Sequence, residues 1–201
     1  PVETPEGHAC GLVKNLALMS MVTVDRGLEE IKKISGILDT IGVSRIEEIP
    51  PSRIKGSTKI FINGAWYAIY DNPYEVSRTL RALRREKHFH SDVSIVHNIA
   101  DSEIFIWCDG GRVTRPLLIV EDRQIKLRHS DIPRIEREGQ RLQEEADEGE
   151  VVKLWRLLLS NGFIEYLDVD EEENQMIAMD QKSVIQSFER EDAYCRTYTH
   201  C

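Results

Sequence analysis

The segment that decides the fold runs from Lys59 to Ile69 and reads KIFINGAWYAI. Its two halves are rich in β-branched and aromatic residues, as strands usually are. Between them stands Asn63-Gly64, a dipeptide that accepts positive φ at both central positions of a type I′ turn. The segment therefore predicts a β-hairpin, and this is the strongest local prediction that the chain allows.

A basic helix is predicted just after this hairpin. Asn72 and Pro73 are typical of a helix cap and a first helical position, and the apolar spacing continues to about His88. The outer surface of the helix is expected to carry arginines at i, i+3 and i+7, namely Arg78, Arg81 and Arg85. Such a stripe could contact phosphates, although a run of this size is more often a solvated face or half of a subunit contact.

Outward from these elements, the chain alternates short helical and strand patterns. Residues 12–19 are apolar nearly all round and predict a short buried helix or strand, and residues 28–38 predict an amphipathic helix with Glu30 facing outward. Strands are predicted at 93–99, 103–107, 112–120, 163–169 and 175–178, a second hairpin turn at 109–111, an exposed helix at 132–146, an acidic loop at 144–150, a helix at 151–159 and an acidic turn at 170–173. This order favours the α+β class, as several small mixed modules in series.

Composition limits the classes of protein to which the chain can belong. Its 201 residues are 41% hydrophobic and 30% charged, which excludes collagen-like, wholly disordered and disulfide-scaffold proteins. A net charge of −9 excludes a chain-wide cationic surface for phosphate. No apolar run approaches the ~18 residues of a membrane span, and no export signal is recognisable. Four scattered cysteines favour reduced thiols inside a cell, and the ends at Pro1 and Cys201 favour a piece of a longer polypeptide.

Neither a metal site nor a self-contained active site is predicted. The cysteines and histidines lack the close ligand pairs of structural zinc sites, so we expect no Zn²⁺ in this segment. The acidic turn at 170–173 lacks the spacing of a calcium loop and is better interpreted as solvated. The chain contains no G-x-S-x-G elbow, no phosphate-cradling glycine loop and no H-E-x-x-H motif, and we therefore expect no catalytic residue.

The first 18 residues read PVETPEGHACGLVKNLAL. They resemble the signature of the second-largest, β-like subunit of multisubunit DNA-directed RNA polymerases. Later blocks are similar to that family in the same order, and these are TKIFINGAW at 58–66, LRALRR at 80–85, DGGRVTRPL at 109–117 and GFIEYLD at 162–168. The closing YTHC at 198–201 most resembles the RNA polymerase II version. The resemblance covers nearly the whole chain.

The resemblance implies a division of the chain into four parts. Residues 1–24 correspond to the C-terminal part of the fork region, which in this family lines the active-centre cleft near the RNA–DNA hybrid. Residues 25–115 and 116–194 correspond to two modules of the external 2 region, on the outside of the enzyme. Residues 195–201 correspond to the start of a following hybrid-binding region.

The same resemblance implies a structural and positioning role within a nucleotidyltransferase, with no activity of the piece alone. Glu6, His8 and Lys14 lie in the motif near nucleic acid, although Glu6 could instead cap backbone amides, Lys14 could pair with a carboxylate, and the family commonly has another polar residue at the position of His8. The implied cofactor is Mg²⁺ of the whole enzyme, held by other polypeptide and by residues beyond Cys201.

The implied partners are the largest subunit, the other polymerase subunits, the DNA template and the RNA–DNA hybrid, in the nucleus and without a membrane. A different class stays open beside this one. It is a free-standing nucleic-acid-binding or protein-docking adaptor that uses Arg78, Arg81 and Arg85.

Overall fold

Two β-sheets with flanking helices organise the chain in the computed structural model, which describes residues 3–13, 15–54, 56–122, 124–143, 150–189 and 198–200. The helices are α1 (Leu28–Ile41), α2 (Pro51–Ile54), α3 (Pro73–Arg85), α4 (Ile132–Gln143), α5 (Glu150–Ser160), α6 (Val169–Glu173) and α7 (Gln181–Glu189). The strands are β1 (Met21–Val22), β2 (Ser44–Arg45), β3 (Thr58–Ile62), β4 (Ala65–Tyr70), β5 (Ser94–Asn98), β6 (Glu103–Trp107), β7 (Val113–Glu121), β8 (Gln124–Ile125), β9 (Ile164–Asp168), β10 (Ile177–Ala178) and β11 (Tyr198–His200). The predicted α+β class is confirmed.

The first sheet has five strands in the order β2-β4-β3-β6-β5. The predicted hairpin is confirmed, since β3 and β4 pair in antiparallel fashion and φ is +46° at Asn63 and +80° at Gly64. One face of this sheet packs against α1 and α3. The core between them contains Ile34, Leu38, Ile60, Ile62, Val76, Leu80, Ile95, Ile104 and Ile106.

Helix α3 begins where the sequence predicts. The Oδ1 of Asn72 accepts a hydrogen bond from the backbone N–H of Glu75 at 3.4 Å, and Pro73 occupies the first turn. The helix ends at Arg85, three residues before the predicted end at His88, because Lys87 has a positive φ of +64° that a right-handed helix cannot include.

The second sheet is built around the long strand β7. Strands β1, β8, β9 and β11 each pair with β7 in antiparallel fashion, and β10 runs parallel to β11. Leu117, Ile119 and Leu167 form its core with the fully buried Tyr198, and α4 and α5 cover a further cluster that includes Phe163. The helix predicted at 132–146 therefore packs against α5, with Ile135 buried, instead of standing exposed; residues 144–149 of the predicted acidic loop lie outside the described residues.

The prediction of a second hairpin at residues 109–111 is wrong. Strand β6 lies between β3 and β5, so both of its edges are already paired. The next strand, β7, cannot join it and instead becomes the centre of the other sheet. Residues 109–111 therefore connect the two sheets.

Two predictions of burial are also wrong. The apolar residues of 12–19 that the structure describes are exposed and form no helix or strand, since no layer of described residues covers them. Glu30 was expected to face outward from α1 but is 7% exposed, with Lys33 as its ion-pair partner at 3.3 Å.

Among the described residues, no helix combines the length and apolar character needed to cross a membrane.

Candidate functional site

The N-terminal loop, residues 3–20 without Lys14, holds its shape through its own hydrogen bonds. Gly7 and Gly11 take positive φ values of +87° and +75°, which favour glycine. The N–H of Gly11 donates to the Oγ1 of Thr4 at 3.0 Å, and the N–H of Cys10 donates to the carbonyl of Gly7 at 3.1 Å. The loop is therefore a locally folded turn with a single 3₁₀ turn at 7–9.

The polar residues that the sequence singles out in this loop face away from the fold. Glu6 and His8 are exposed, and neither side chain bonds to any residue that the structure describes. Glu6 precedes the 3₁₀ turn without capping it. Lys14 lies outside the described residues. Glu6 and His8 are thus available to a group outside this chain.

The same loop exposes apolar side chains. Leu12 is 78% exposed, Leu16 is 65% exposed and Leu18 is fully exposed. A contiguous apolar stretch on a surface usually marks an interface. The exposed leucines therefore indicate that this loop is suited to pack against another polypeptide.

Thr23 fastens the loop to the second sheet. Its side chain is buried, its Oγ1 donates to the carbonyl of Asp109 at 3.1 Å and it accepts from the N–H of Arg112 at 3.0 Å. The backbone of Thr23 also donates to the carbonyl of Arg112 and accepts from the N–H of Gly111, both at 2.9 Å. Four hydrogen bonds thus join Thr23, three residues after the loop, to residues 109–112, which directly precede β7.

The motif DGGRVTR, residues 109–115, supplies the other half of this attachment. A Cβ on Gly110 would lie 2.7 Å from the backbone nitrogen of Asp25, so only glycine lets the two chain segments approach this closely. The guanidinium of Arg112 donates to Asp168 at 2.9 Å and to the carbonyl of Asp92 at 2.8 Å. The motif therefore ties the N-terminal loop to both sheets.

A buried cluster of charges, here named the arginine junction, lies between the two sheets. It joins α3 to β9, α6 and β11 across 80 to 113 residues of sequence. Its members are Arg81, Arg84, Arg85, Glu165, Glu171 and Tyr198.

Arg84 is the centre of the junction, with a side chain that is 1% exposed. It donates to Glu165 at 2.7 Å and makes a bidentate contact with Glu171 at 2.7 and 2.9 Å. The Nη1 that bonds Glu171 also donates to the carbonyl of Val93 at 2.6 Å. This paired, fork-shaped geometry suits arginine and not lysine.

The flanking arginines complete the cluster. Arg85 donates to the second oxygen of Glu165 at 3.1 Å, and the hydroxyl of Tyr198 donates to the same oxygen at 2.9 Å. Arg81 contacts Glu171 at 3.2 Å. Each buried carboxylate therefore has two guanidinium partners, which keeps the desolvated charges compensated.

The junction also satisfies the outer edge of β5. The N–H of Ile95 donates to Glu171 at 3.2 Å, and its carbonyl accepts from Arg81 at 3.1 Å. The hydroxyl of Ser94 donates to Asp168 at 2.7 Å. Side chains thus bond both backbone groups of Ile95 and connect the first sheet to α6.

The electrostatics of the junction follow from this pairing. Burial opposes the charge of Arg84, but Glu165 and Glu171 outweigh it and raise the pKa of Arg84 well above its ordinary value. Burial likewise opposes ionisation of Glu165, while Arg84 and Arg85 lower its pKa below the ordinary 4.5. Burial, together with Glu165 and Glu171, raises the pKa of Tyr198. Arg84 and Glu165 are therefore both charged, and Tyr198 is neutral, at physiological pH.

The prediction that Arg78, Arg81 and Arg85 together form an outward stripe is wrong. Arg81 and Arg85 are engaged with internal carboxylates, and Arg84 beside them is buried. Arg78 alone of the three predicted residues is exposed. The free-standing adaptor that used this stripe is not supported.

The acidic turn at 170–173 is not simply solvated, because it forms helix α6. Asp168 caps this helix by accepting from the N–H of Glu171 at 2.9 Å, and Glu171 is fully buried. Among the described residues, no three His, Cys, Asp or Glu side chains converge to hold a metal ion.

Sequence reasoning missed Thr23, Arg84, Arg112, Glu165 and Tyr198 as site residues. A weak signal existed for the junction, because Arg84 and Glu165 stand in the family-like blocks LRALRR and GFIEYLD. Their pairing could not be derived, since it joins residues 81 positions apart.

Comparison with known families agrees with this arrangement along the chain. Three family models match in order, and they describe RNA polymerase Rpb2 domain 3 at residues 1–22, domain 4 at 60–121 and domain 5 at 155–201. These three matches, in order, identify the chain as a multidomain part of a large polymerase subunit.

Individual relatives give the same result. The chain is 41% identical over 202 residues to the DNA-directed RNA polymerase II subunit 2 of Arabidopsis thaliana and 39% identical over 201 residues to the RNA polymerase II subunit RPB2 of Encephalitozoon cuniculi; both matches cover 100% of this chain and 16% of the relative. It is 35% identical to the RNA polymerase III subunit RPC2 of Saccharomyces cerevisiae, over 92% of this chain and 15% of that relative. The chain belongs to the Rpb2 family of second-largest subunits of DNA-directed RNA polymerases, and it spans about a sixth of the length of the curated relatives it matches.

Proposed function

We propose that the chain acts as part of the second-largest subunit of a nuclear RNA polymerase of the RNA polymerase II type, where it helps to form the active-centre cleft for DNA-templated RNA synthesis. Its role is structural and positioning. The observation that carries the proposal is the match of three consecutive Rpb2 family models, in order, on one chain.

The division of labour within the chain supports this role. The N-terminal loop, which matches Rpb2 domain 3, leaves Glu6 and His8 exposed and unbonded among the described residues. Thr23 and Arg112 fasten that loop to β7, and the arginine junction fixes β7 and β9 relative to the first sheet. Phosphoryl transfer depends mainly on positioning and charge stabilisation, so a rigidly held loop influences rate without touching a metal.

The partners in this proposal are the largest subunit, the other polymerase subunits, the DNA template and the RNA–DNA hybrid. The whole enzyme uses Mg²⁺, which other parts of the polymerase hold. Glu6, His8 and Lys14 are the residues proposed to lie near nucleic acid. The division into residues 1–24, 25–115, 116–194 and 195–201 also belongs to this proposal.

Site-specific crosslinking in the assembled polymerase tests the proposal. A photoreactive p-benzoylphenylalanine replaces His8 in the loop, and a matched variant carries it in place of the exposed Glu47. We expect the probe at position 8 to crosslink to template or transcript and the probe at position 47 to leave nucleic acid unlabelled. Equal labelling from both positions, or labelling from 47 alone, contradicts the proposal.

Transcription assays test the division of labour. The chain by itself, mixed with template, nucleotides and Mg²⁺, is expected to yield no transcript. In the assembled enzyme, the variant Glu6→Ala/His8→Ala is expected to slow elongation severalfold, while Glu47→Ala leaves the rate unchanged. Synthesis by the chain alone would overturn the positioning role.

A further inference from the structure

One face of the first sheet carries a row of four aromatic rings, here named the aromatic face, made of Phe61, Trp66, Phe105 and Trp107. Phe61 stacks on Phe105 with ring centroids 5.0 Å apart, and Phe105 stacks on Trp107 at 6.1 Å with only 6° between the ring planes. Trp66 continues the row beyond Phe61 at 6.1 Å. All four rings are partly exposed, on the side of the sheet opposite the helix-covered core.

At one end of this row, the chain itself supplies a cation. The Nζ of Lys59 lies 5.8 Å from the centre of the Trp66 ring and donates to Glu103 at 2.9 Å. An aromatic ring, a positive charge and a carboxylate thus meet within one chain, which is a stabilising arrangement.

At the other end, the aromatic face continues into an open groove of about 390 Å³ between the first sheet and α6. Phe105, Trp107 and Val96 form its sheet wall, and Asp170 and Glu173 form its acidic wall. Asn98 and Asn174 add polar amides at the rim.

The carboxylates of this groove differ from their neighbours in sequence. Asp168, Glu171 and Glu172 each pair with an arginine inside the chain. Asp170 and Glu173 are exposed, and neither makes an ion pair with any described residue. Partial burial, with Asp168 and then Glu173 close by, raises the pKa of Asp170, while Arg112 opposes this shift.

We propose that this groove, named the acidic–aromatic groove, docks an arginine-bearing segment of a partner protein, with a guanidinium set against Trp107 and Phe105 and bonded to Asp170 and Glu173. The groove combines aromatic rings with carboxylates, as Trp66 and Glu103 do around Lys59 at the other end of the row, but no cation is among the described residues that line it. Guanidinium fits both walls, because it stacks on aromatic rings and donates in a fork to carboxylates.

Single-stranded nucleic acid is the other class of ligand that aromatic sheet faces accept. The groove disfavours it, because Asp170 and Glu173 would repel phosphates.

Peptide binding to the whole chain, followed by fluorescence anisotropy, tests the proposal. The probe is a fluorescein-labelled (Gly-Arg)₆ peptide, and its neutral counterpart replaces every arginine with citrulline. We expect the arginine peptide to bind at least about tenfold more tightly than the citrulline peptide and to quench tryptophan fluorescence. The variant Asp170→Asn/Glu173→Gln should weaken binding by about tenfold, since two partly exposed charge pairs are lost.

A charge-matched variant separates the groove from the general acidity of the chain. Glu29→Gln/Glu47→Gln removes two exposed carboxylates elsewhere and should change the affinity by less than about twofold. Trp107→Leu should weaken binding while both carboxylates remain. Circular dichroism checks the fold of each variant, and Glu173→Gln alone serves if the double variant unfolds. Equal weakening by both double variants, equal binding of the citrulline peptide, or tighter binding of oligo(dT)₁₂ at the same tryptophan would overturn the proposal.

Discussion

The composition of the N-terminal loop suggests burial and that of the arginine junction suggests exposure, but the structure shows the reverse. The loop contains three leucines, Leu12, Leu16 and Leu18, yet it lies exposed. The junction consists of arginine, glutamate and tyrosine, yet it lies buried and fully paired between two sheets. The comparison shows that burial of a side chain depends on the partners available to it. The charged side chains of the junction have partners within the chain, whereas the apolar side chains of the loop are not covered by the described residues.

The largest expected effect comes from removing the centre of the junction. Arg84→Met leaves Glu165 and Glu171 buried with fewer positive charges, which should lower the free energy of unfolding by about 3–5 kcal/mol. Urea denaturation measures this loss. Arg78→Met, on the exposed side of the same helix, should change stability by less than about 0.5 kcal/mol. Similar losses for the two variants would refute the internal role of Arg84.

Acid should weaken the junction through Glu165. Its pKa is lowered in the folded chain, so the stability that its ionised form contributes is complete above the ordinary pKa of 4.5 and is lost as the pH falls through the folded value. Glu165→Gln should cost about 3 kcal/mol at pH 7. The gap between wild type and variant in urea midpoint should narrow below about pH 4.5. A gap that stays constant between pH 7 and pH 3 would contradict this assignment.

A smaller loss is expected where the N-terminal loop is fastened to the fold. Gly110→Ala places a Cβ 2.7 Å from the backbone of Asp25, so one of the two segments must shift, at about 1–3 kcal/mol. Hydrogen exchange at the amides of Thr23 and Gly111 should become faster. Gly36→Ala, in the open middle of α1, should instead stabilise by about 0.5–1 kcal/mol. If both variants changed the free energy of unfolding in the same direction, the close approach of Gly110 to Asp25 would not determine the effect of Gly110→Ala.

The smallest effect is expected in the N-terminal loop itself. Leu18→Ser should alter the free energy of unfolding by less than about 0.5 kcal/mol and raise solubility, because Leu18 is fully exposed. Leu80→Ala in the buried core is the contrast and should cost about 2–5 kcal/mol. A large loss from Leu18→Ser would mean that the loop packs against the chain after all.

Local signals in the sequence predict much of this fold. The turn chemistry of Asn63-Gly64 and the capping pair Asn72-Pro73 act over a few residues, so the hairpin and the start of α3 are confirmed. The end of α5 at Asn161-Gly162 is confirmed for the same reason, since φ at Gly162 is +64°.

Contacts between residues far apart in the chain cannot be predicted from local sequence patterns. The turn at 109–111 has hairpin composition, but β6 already has a neighbour on each edge, and that fact depends on residues of β3 and β5. The helical spacing of the arginines likewise says which residues share a face and nothing about Glu165 or Glu171 some 80 to 90 positions later. Glu6, His8 and Lys14, which the family resemblance supplied, stay predictions.

The side-chain bonds along β5 have a consequence for self-association. A strand at the border of a sheet offers unpaired amides and carbonyls that another molecule can extend into fibrous aggregates. Here Glu171 accepts the hydrogen bond of the Ile95 amide, and Arg81 donates to the Ile95 carbonyl. Charged side chains therefore occupy the positions where the backbone of another molecule would have to bond. The charges that unite the two halves of the molecule also keep β5 from recruiting a further copy.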